Sequence, residues 1–240
     1  MEYLDNLNPN QKEAVIHDNG PCLVIAGAGS GKTRVLTYRI AHLIKKGTDP
    51  YSILALTFTN KASKEMKDRI EKIVGTEARS LWMGTFHSIF ARILRTEGYK
   101  IGYPPNFVIY DTLDSKNLIK SIVKELNLDP KIYKENFIYN RISNAKNRLI
   151  SPVEYKNNPI LQEEDASSLR PMISEIYKRY SERCFKSQAM DFDDLLYNTN
   201  ILFADHIDIL NKYQQLFQHV LIDEFQDTNY CQYLITKRLA

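Results

Sequence analysis

Cysteine is scarce in this 240-residue chain, and Cys22, Cys184 and Cys231 are scattered at no metal-ligand spacing. That excludes a disulfide framework or a cysteine-built zinc site and suits a reducing cytosol, with structural roles for all three. Long apolar runs are lacking too, and none approaches the length of a membrane span. The opening residues Met1 to Asp5 lack the basic-then-apolar layout of a secretory leader. The expectation is a cytoplasmic protein with no membrane partner. Internal repeats and low-complexity tracts are absent. Charge of one sign is also in short supply, at +3 overall, but it is unevenly spread: residues 1–190 carry +8 and residues 191–240 carry −5. A basic front is compatible with a phosphate backbone as ligand, and equally with a solvated mixed-charge surface.

What is present is an ordinary globular composition, 43% hydrophobic and 25% charged. The early chain alternates apolar runs with amphipathic stretches. Leu23-Val24-Ile25-Ala26 reads as a buried strand, followed by glycines and a helix from Lys32 to Lys45. Ile53 to Phe58 reads as a second strand, followed by a helix with Ala62, Met66, Ile70 and Ile73 on one face. Leu81 to Gly84 and Phe107 to Tyr110 read as further strands. Such alternation predicts an α/β fold, a parallel sheet flanked by helices. From Thr112 to Ala189 helical patterns dominate, punctuated by Asp129-Pro130, Ser151-Pro152 and Asn158-Pro159, which predicts a mainly helical insertion. Helices then follow to about Phe217, and His219-Val220-Leu221-Ile222 reads as a strand that returns to the sheet.

Ala26-Gly27-Ala28-Gly29-Ser30-Gly31-Lys32-Thr33 carries the strongest chemical signal. Glycines let successive backbone N–H groups turn inward around an anion. Lys32 can reach terminal phosphates, Thr33 offers a hydroxyl to Mg²⁺, and the following helix points its positive end at the same place. The bland alternative is a glycine-rich turn capping an ordinary helix, and Ala26 stands where the strict pattern has glycine. Hydrolysis needs acids as well. Asp223 and Glu224, at the end of an apolar strand, supply a carboxylate for Mg²⁺ and a base to orient water. In a parallel sheet the strand ends share one edge, so Asp223 can approach a metal beside Thr33.

Asp223-Glu224-Phe225-Gln226-Asp227-Thr228-Asn229 resembles the acidic motif of the UvrD/PcrA/Rep group of superfamily-one helicases. Other stretches resemble that group in order: Leu7-Asn8-Pro9-x-Gln11, the loop Ala26 to Thr33 with its alanine, and Thr57 to Ala62 with Glu65, Met66 and Arg69. Gly84-Thr85-Phe86-His87-Ser88, Ile142 to Asn147 and Met190 to Leu196 complete the series, which covers nearly the whole chain. The resemblance implies a RecA-like P-loop NTPase domain, called 1A, at residues 1–110 and 191–240, with a helical subdomain, 1B, inserted at 111–190. It implies an ATP-dependent enzyme that moves 3′ to 5′ on single-stranded DNA and opens junctions with duplex in repair or replication. ATP and Mg²⁺ are the implied cofactors, and a second RecA-like domain of the same protein is the implied partner. A helicase–nuclease of the same superfamily is the alternative.

Site residues follow by resemblance. Lys32, Asp223 and Glu224 carry the chemistry. Gln11, Ala26, Gly27, Ala28, Gly29, Ser30, Gly31, Thr33, Arg34 and Gln226 take the nucleotide, and Thr33 and Asp223 take Mg²⁺. Gln11 has a second reading, because Asn8 caps a helix beginning at Pro9 and a glutamine three residues on completes a capping box. Phe58, Thr59, Asn60, Lys61, Thr85, Phe86 and His87 are DNA contacts, with core packing as the alternative for Phe58. Asp191, Asp193 and Asp194 resemble a metal cluster, but helical spacing splays them over different faces, which favours capping and structural roles.

Overall fold

Ile53–Thr57 (β1) is buried along its whole length, as a central parallel strand must be. The computed structural model describes every residue except Met1, Asn19 and Ala28. It divides into two compact units: residues 1–89, 211–228 and 236–240 in one, and 90–210 with 229–235 in the other.

In the first unit, β1 is flanked by Trp82–Thr85 (β2) and His219–Ile222 (β5) in a three-stranded parallel sheet of order β2-β1-β5. Leu56 lies opposite both Gly84 and Ile222. The residues that follow the strands, Phe58, Phe86 and Asp223, therefore emerge at one edge. Parallel neighbours require a crossover, and Asn60–Val74 (α3) makes it between β1 and β2. Lys32–Lys45 (α2) and α3 pack Ile40, Leu43, Ile44, Met66 and Ile70 against Ile53, Ala55 and Leu221. Pro9–Ile16 (α1) joins α2 through Leu7, Val15 and Val35. The Arg39 guanidinium donates to the carbonyls of Ala14, Val15 and His17 at the end of α1. Helix carbonyls left open at that end thus gain a charged partner.

The predicted strand Leu23–Ala26 is not a strand. Among the described residues, 21–27 join no ladder, and Leu23 and Ile25 are 68% and 88% exposed. Its side chains suit burial on both faces, but no strand of the sheet runs beside it. Val108–Tyr110 (β3) also departs from expectation. It pairs in parallel with Ala189–Asp191 (β4) in a separate two-stranded sheet.

That short ladder brackets five helices of the second unit: Thr112–Glu125 (α5), Glu135–Asn147 (α6), Pro152–Asn157 (α7), Pro159–Ser167 (α8) and Ile173–Lys186 (α9). Asp111, Ser151 and Asn158 cap α5, α7 and α8 with their side chains, and proline opens the latter two. Ile119, Ile122, Ile138, Ile142, Tyr155, Ile176, Tyr177 and Tyr180 form the core. Phe192–Asp205 (α10) belongs to this unit, whereas Phe86–Glu97 (α4), Ile207–Leu216 (α11) and Tyr230–Leu239 (α12) each run across a division point. Among the described residues no helix is long and apolar enough to cross a membrane.

Candidate active site

The loop before α2 is shaped by two glycines in the left-handed region, Gly29 at φ 75° and Gly31 at φ 90°. At Gly31 a Cβ would lie 2.9 Å from the Gln11 amide nitrogen, the movable end of a side chain, so the left-handed φ is what calls for glycine there. Helix α2 starts at Gly31 without a side-chain cap, so its first-turn N–H groups keep their partial positive charge. Lys32 Nζ donates to the Ala26 and Gly27 carbonyls at 3.0 and 3.3 Å. Ser30 Oγ donates to the same Gly27 carbonyl at 2.6 Å. The loop is folded onto its own lysine, with neutral oxygens where phosphate oxygens belong in an anion site. Ala28 lies outside the described residues.

Gln11 satisfies the capping reading. Its Oε1 accepts from the Asn8 N–H at 3.1 Å, and its backbone N–H donates to Asn8 Oδ1 at 2.9 Å. The other end of the same amide reaches the loop, Nε2 donating to the Ser30 carbonyl at 3.0 Å. Arg34 Nη2 donates to the Asn6 carbonyl at 2.8 Å, and its guanidinium lies 5.6 Å from the Tyr38 ring centre.

Thr33 and Asp223, 190 residues apart, meet: Thr33 Oγ1 donates to Asp223 Oδ2 at 3.4 Å. Asp223 is held by its own N–H on the Leu56 carbonyl of β1 at 3.0 Å and is 8% exposed. Burial and the neighbouring Glu224 charge push its carboxyl above the usual range, against the Thr33 hydroxyl and the Lys32 charge. Among the described residues no ammonium or guanidinium forms an ion pair with it. Glu224 follows at φ 52°, a left-handed backbone uncommon for glutamate, and opens a 3₁₀ turn, Phe225–Asp227. The Gln226 amide donates to the Glu224 carboxylate and not to the loop.

A cleft of about 600 Å³ joins these acids to the other strand ends, lined by Thr33, Phe58, Thr59, Arg69, Asp223 and Glu224 among others. Phe58 is half-buried with its ring 5.7 Å from that of Phe86, which is 1% exposed. Thr59 caps α3, Oγ1 accepting from the Ala62 N–H at 3.1 Å, and Asn60 and Lys61 stand exposed in the first turn. Thr85 plays a similar part for α4, Oγ1 accepting from the Ser88 N–H at 3.2 Å, while His87 is half-buried.

Arg69 also lines a second cleft, of about 350 Å³, with Arg34 and Lys72. Arg69 was read from the sequence only as part of the motif on α3; it pairs with Glu65 at 3.6 Å on the helix surface. Asp191, Asp193 and Asp194 do have structural roles. Asp191 and Asp194 form the capping box of α10, and Asp193 accepts from Asn147 Nδ2 at 2.8 Å.

A glycine-shaped loop at the start of α2 thus stands beside an Asp-Glu pair that follows β5 of the parallel sheet. The chain belongs to the family described as UvrD/REP helicase N-terminal domain, which matches residues 7–240. It is similar to the ATP-dependent DNA helicase PcrA of Bacillus subtilis, 46% identical over 100% of this chain and 32% of that protein. PcrA of Staphylococcus aureus is 44% identical over 99% of the chain and 32% of its own length, and PcrA of Staphylococcus epidermidis 46% over 98% and 32%. The chain thus spans about a third of the curated relatives it matches.

Proposed function

We propose that the chain is the nucleotide-binding front of a motor that couples Mg-ATP hydrolysis to 3′–5′ movement on single-stranded DNA and opens duplex at junctions. The meeting of Thr33 with Asp223 carries this reading, because it brings the phosphate loop and the acidic motif to one pocket. Magnesium fits there: a buried carboxylate whose charge is costly, beside a hydroxyl and, among the described residues, in no ion pair, suits a divalent ion. When bound, the ion supplies positive charge against the phosphates.

The chain's own residues do the rest. Lys32 exchanges its carbonyl partners for terminal phosphate oxygens, and the loop and α2 N–H groups hold the remainder. Glu224, steadied by Gln226, orients water and accepts its proton. Gln11 keeps its cap and turns its amide NH₂ from Ser30 to the adenine edge, with Arg34 nearby. Phe58 stacks on a base, with the buried Phe86 as its support. Thr59, Asn60, Lys61, Thr85 and His87 hold phosphates and sugars. Residues 1–110 and 191–240 make the ATPase domain and 111–190 the insertion. In the length the relatives have beyond this match we infer a second RecA-like domain that closes over the nucleotide and adds an arginine, worth roughly a thousandfold in rate.

These 240 residues alone therefore bind Mg-ATP weakly, hydrolyse it very slowly and unwind nothing. A coupled ATPase assay with oligo-dT tests this, and brisk DNA-stimulated turnover would refute it. In a chain of the relatives' full length, Glu224→Gln leaves ATP binding nearly intact and lowers turnover by roughly a hundredfold or more. Full activity in that variant removes Glu224 as the base.

A further inference from the structure

Helix α1 has few apolar anchors of its own, since Val15 is its one buried residue. The chain leaves it at His17 with ψ 118°, so it does not wind back over the final carbonyls. Those carbonyls are taken up from the neighbouring helix. Arg39 Nη1 on α2 donates to Ala14 and Val15, each at 3.3 Å, and to His17 at 2.5 Å. A guanidinium there also meets the negative end of the α1 dipole. Among the described residues no carboxylate forms an ion pair with Arg39, so these carbonyls are its direct partners.

Helix periodicity gives that grip a consequence at the other end of α1. Gln11 and Val15 are one turn apart on α1, and Val35 and Arg39 are one turn apart on α2, so each pair shares a face. Val15 and Val35 join those faces in the small cluster with Leu4 and Leu7. Gln11 therefore points at the phosphate loop only while α1 keeps its rotation and tilt on α2. Its Nε2 then donates to the Ser30 carbonyl at 3.0 Å. Arg34, also from α2, holds the Asn6 carbonyl just ahead of α1 at 2.8 Å. Held at its start alone, α1 can pivot on the contact at Val15; held at both ends by two guanidiniums of one helix, it cannot.

We propose that Arg39 is a positioning residue for base recognition: by holding the last carbonyls of α1 on α2 it aims the Gln11 amide. The inference rests on the reading of Gln11 as the adenine contact. Arg39 itself touches no part of the nucleotide in this arrangement; it acts through the orientation of one short helix.

The test is titration of the 240-residue chain with mant-ATP and mant-GTP, with displacement by inorganic tripolyphosphate as a base-free probe and thermal melts alongside. Arg39→Met is expected to lower the preference for mant-ATP over mant-GTP by roughly tenfold, while tripolyphosphate affinity stays within about twofold. Arg39→Lys brings a charge to fewer carbonyls and falls between wild type and Arg39→Met; it decides the matter if Arg39→Met fails to fold. Arg39→Met added to Gln11→Glu lowers the preference no further than Gln11→Glu alone, because both act on one amide. An Arg39→Met chain with wild-type preference, equal losses for both nucleotides and tripolyphosphate, or a double variant worse than Gln11→Glu would overturn the proposal. A wild-type chain that does not prefer mant-ATP, or a Gln11→Glu chain that keeps the preference, overturns the adenine reading itself and this inference with it.

Discussion

Lys146 and Lys32 are both held by oxygen atoms, yet they differ in everything that decides what a charge does. The Lys146 side chain is 2% exposed, with two carboxylates at 2.7 Å and the Tyr180 ring centre 4.9 Å away. Burial opposes its charge, but Asp191 and Asp194 outweigh that and hold it protonated well above the ordinary lysine range. Tyr180 adds a hydroxyl to Asp191 at 2.7 Å, so nearly every valence in the cluster is taken. Lys32 is half-buried and rests on two neutral carbonyls of its own loop. Carbonyls are weaker partners for an ammonium than carboxylates, and a ligand's phosphates can displace them. The lesson is that a saturated, buried charge can serve only structure, whereas one parked on weak acceptors is available for chemistry.

The sharpest way to break this contrast is to remove each lysine. Lys146→Met leaves Asp191 and Asp194 buried without a counter-charge, and stability should fall by about 3–5 kcal/mol. Lys32→Ala removes a half-buried ammonium and should change stability by no more than about 0.5 kcal/mol. Urea unfolding measures both, and mant-ATP titration supplies the other half, with binding lost in Lys32→Ala. A Lys146→Met chain that unfolds at the wild-type urea midpoint would show that the buried cluster contributes specificity without stability.

A smaller effect sharpens the comparison inside one residue. Gln11 is at once a helix cap and a hand on the phosphate loop. Gln11→Glu retains the capping box, because a glutamate at the third helical position accepts from the Asn8 N–H equally well. It loses the NH₂ that donates to Ser30 and that adenine would need. The melting temperature should stay within about 2 °C, while preference for mant-ATP over mant-GTP drops by roughly tenfold. If the preference survives the substitution, Gln11 serves the helix alone.

How much of this was legible in the sequence depended on how local the cause was. β1 could be read because a run apolar on both faces is itself the signal of a central parallel strand. The helix starts at Pro152 and Pro159 could be read because Ser151 and Asn158 act on the next three residues. The approach of Thr33 to Asp223 was expected from a rule about parallel strand ends, and the contact is present although the loop that carries Thr33 follows no strand of the sheet. Leu23–Ala26 has the same apolar character as β1 and is no strand, because a strand also needs a neighbour's open edge, which its own residues do not specify. β3 was assigned to the wrong sheet because its partner lies about eighty residues on and is three residues long. Lys146 passed as a charge in a familiar phrase, although Ile138, Ile142 and Ala145 beside it mark the buried face of α6.

The smallest effect concerns backbone. Asn127, Leu149, Leu169 and Gln188 end α5, α6, α8 and α9 in the left-handed region, at φ 53°, 57°, 61° and 51°, and Glu224 shares that conformation in the candidate site. At Leu169 the conformation serves closure only: its N–H donates to Ala166 and the next N–H to Asp165, at 2.9 and 2.8 Å. The side chain is 73% exposed and buries little. A left-handed L-residue costs about 1–2 kcal/mol, and glycine gives back about 0.5–1 kcal/mol through the freedom of the unfolded chain. Leu169→Gly should therefore gain about 0.5 kcal/mol, or about 1–2 °C in melting temperature for a chain of this size. Glu224→Gly relieves the same strain and should be no less stable, yet it removes the carboxylate and with it hydrolysis by the full-length protein. A Leu169→Gly chain that melts lower than wild type would mean that the exposed leucine contributes packing that outweighs its strained backbone.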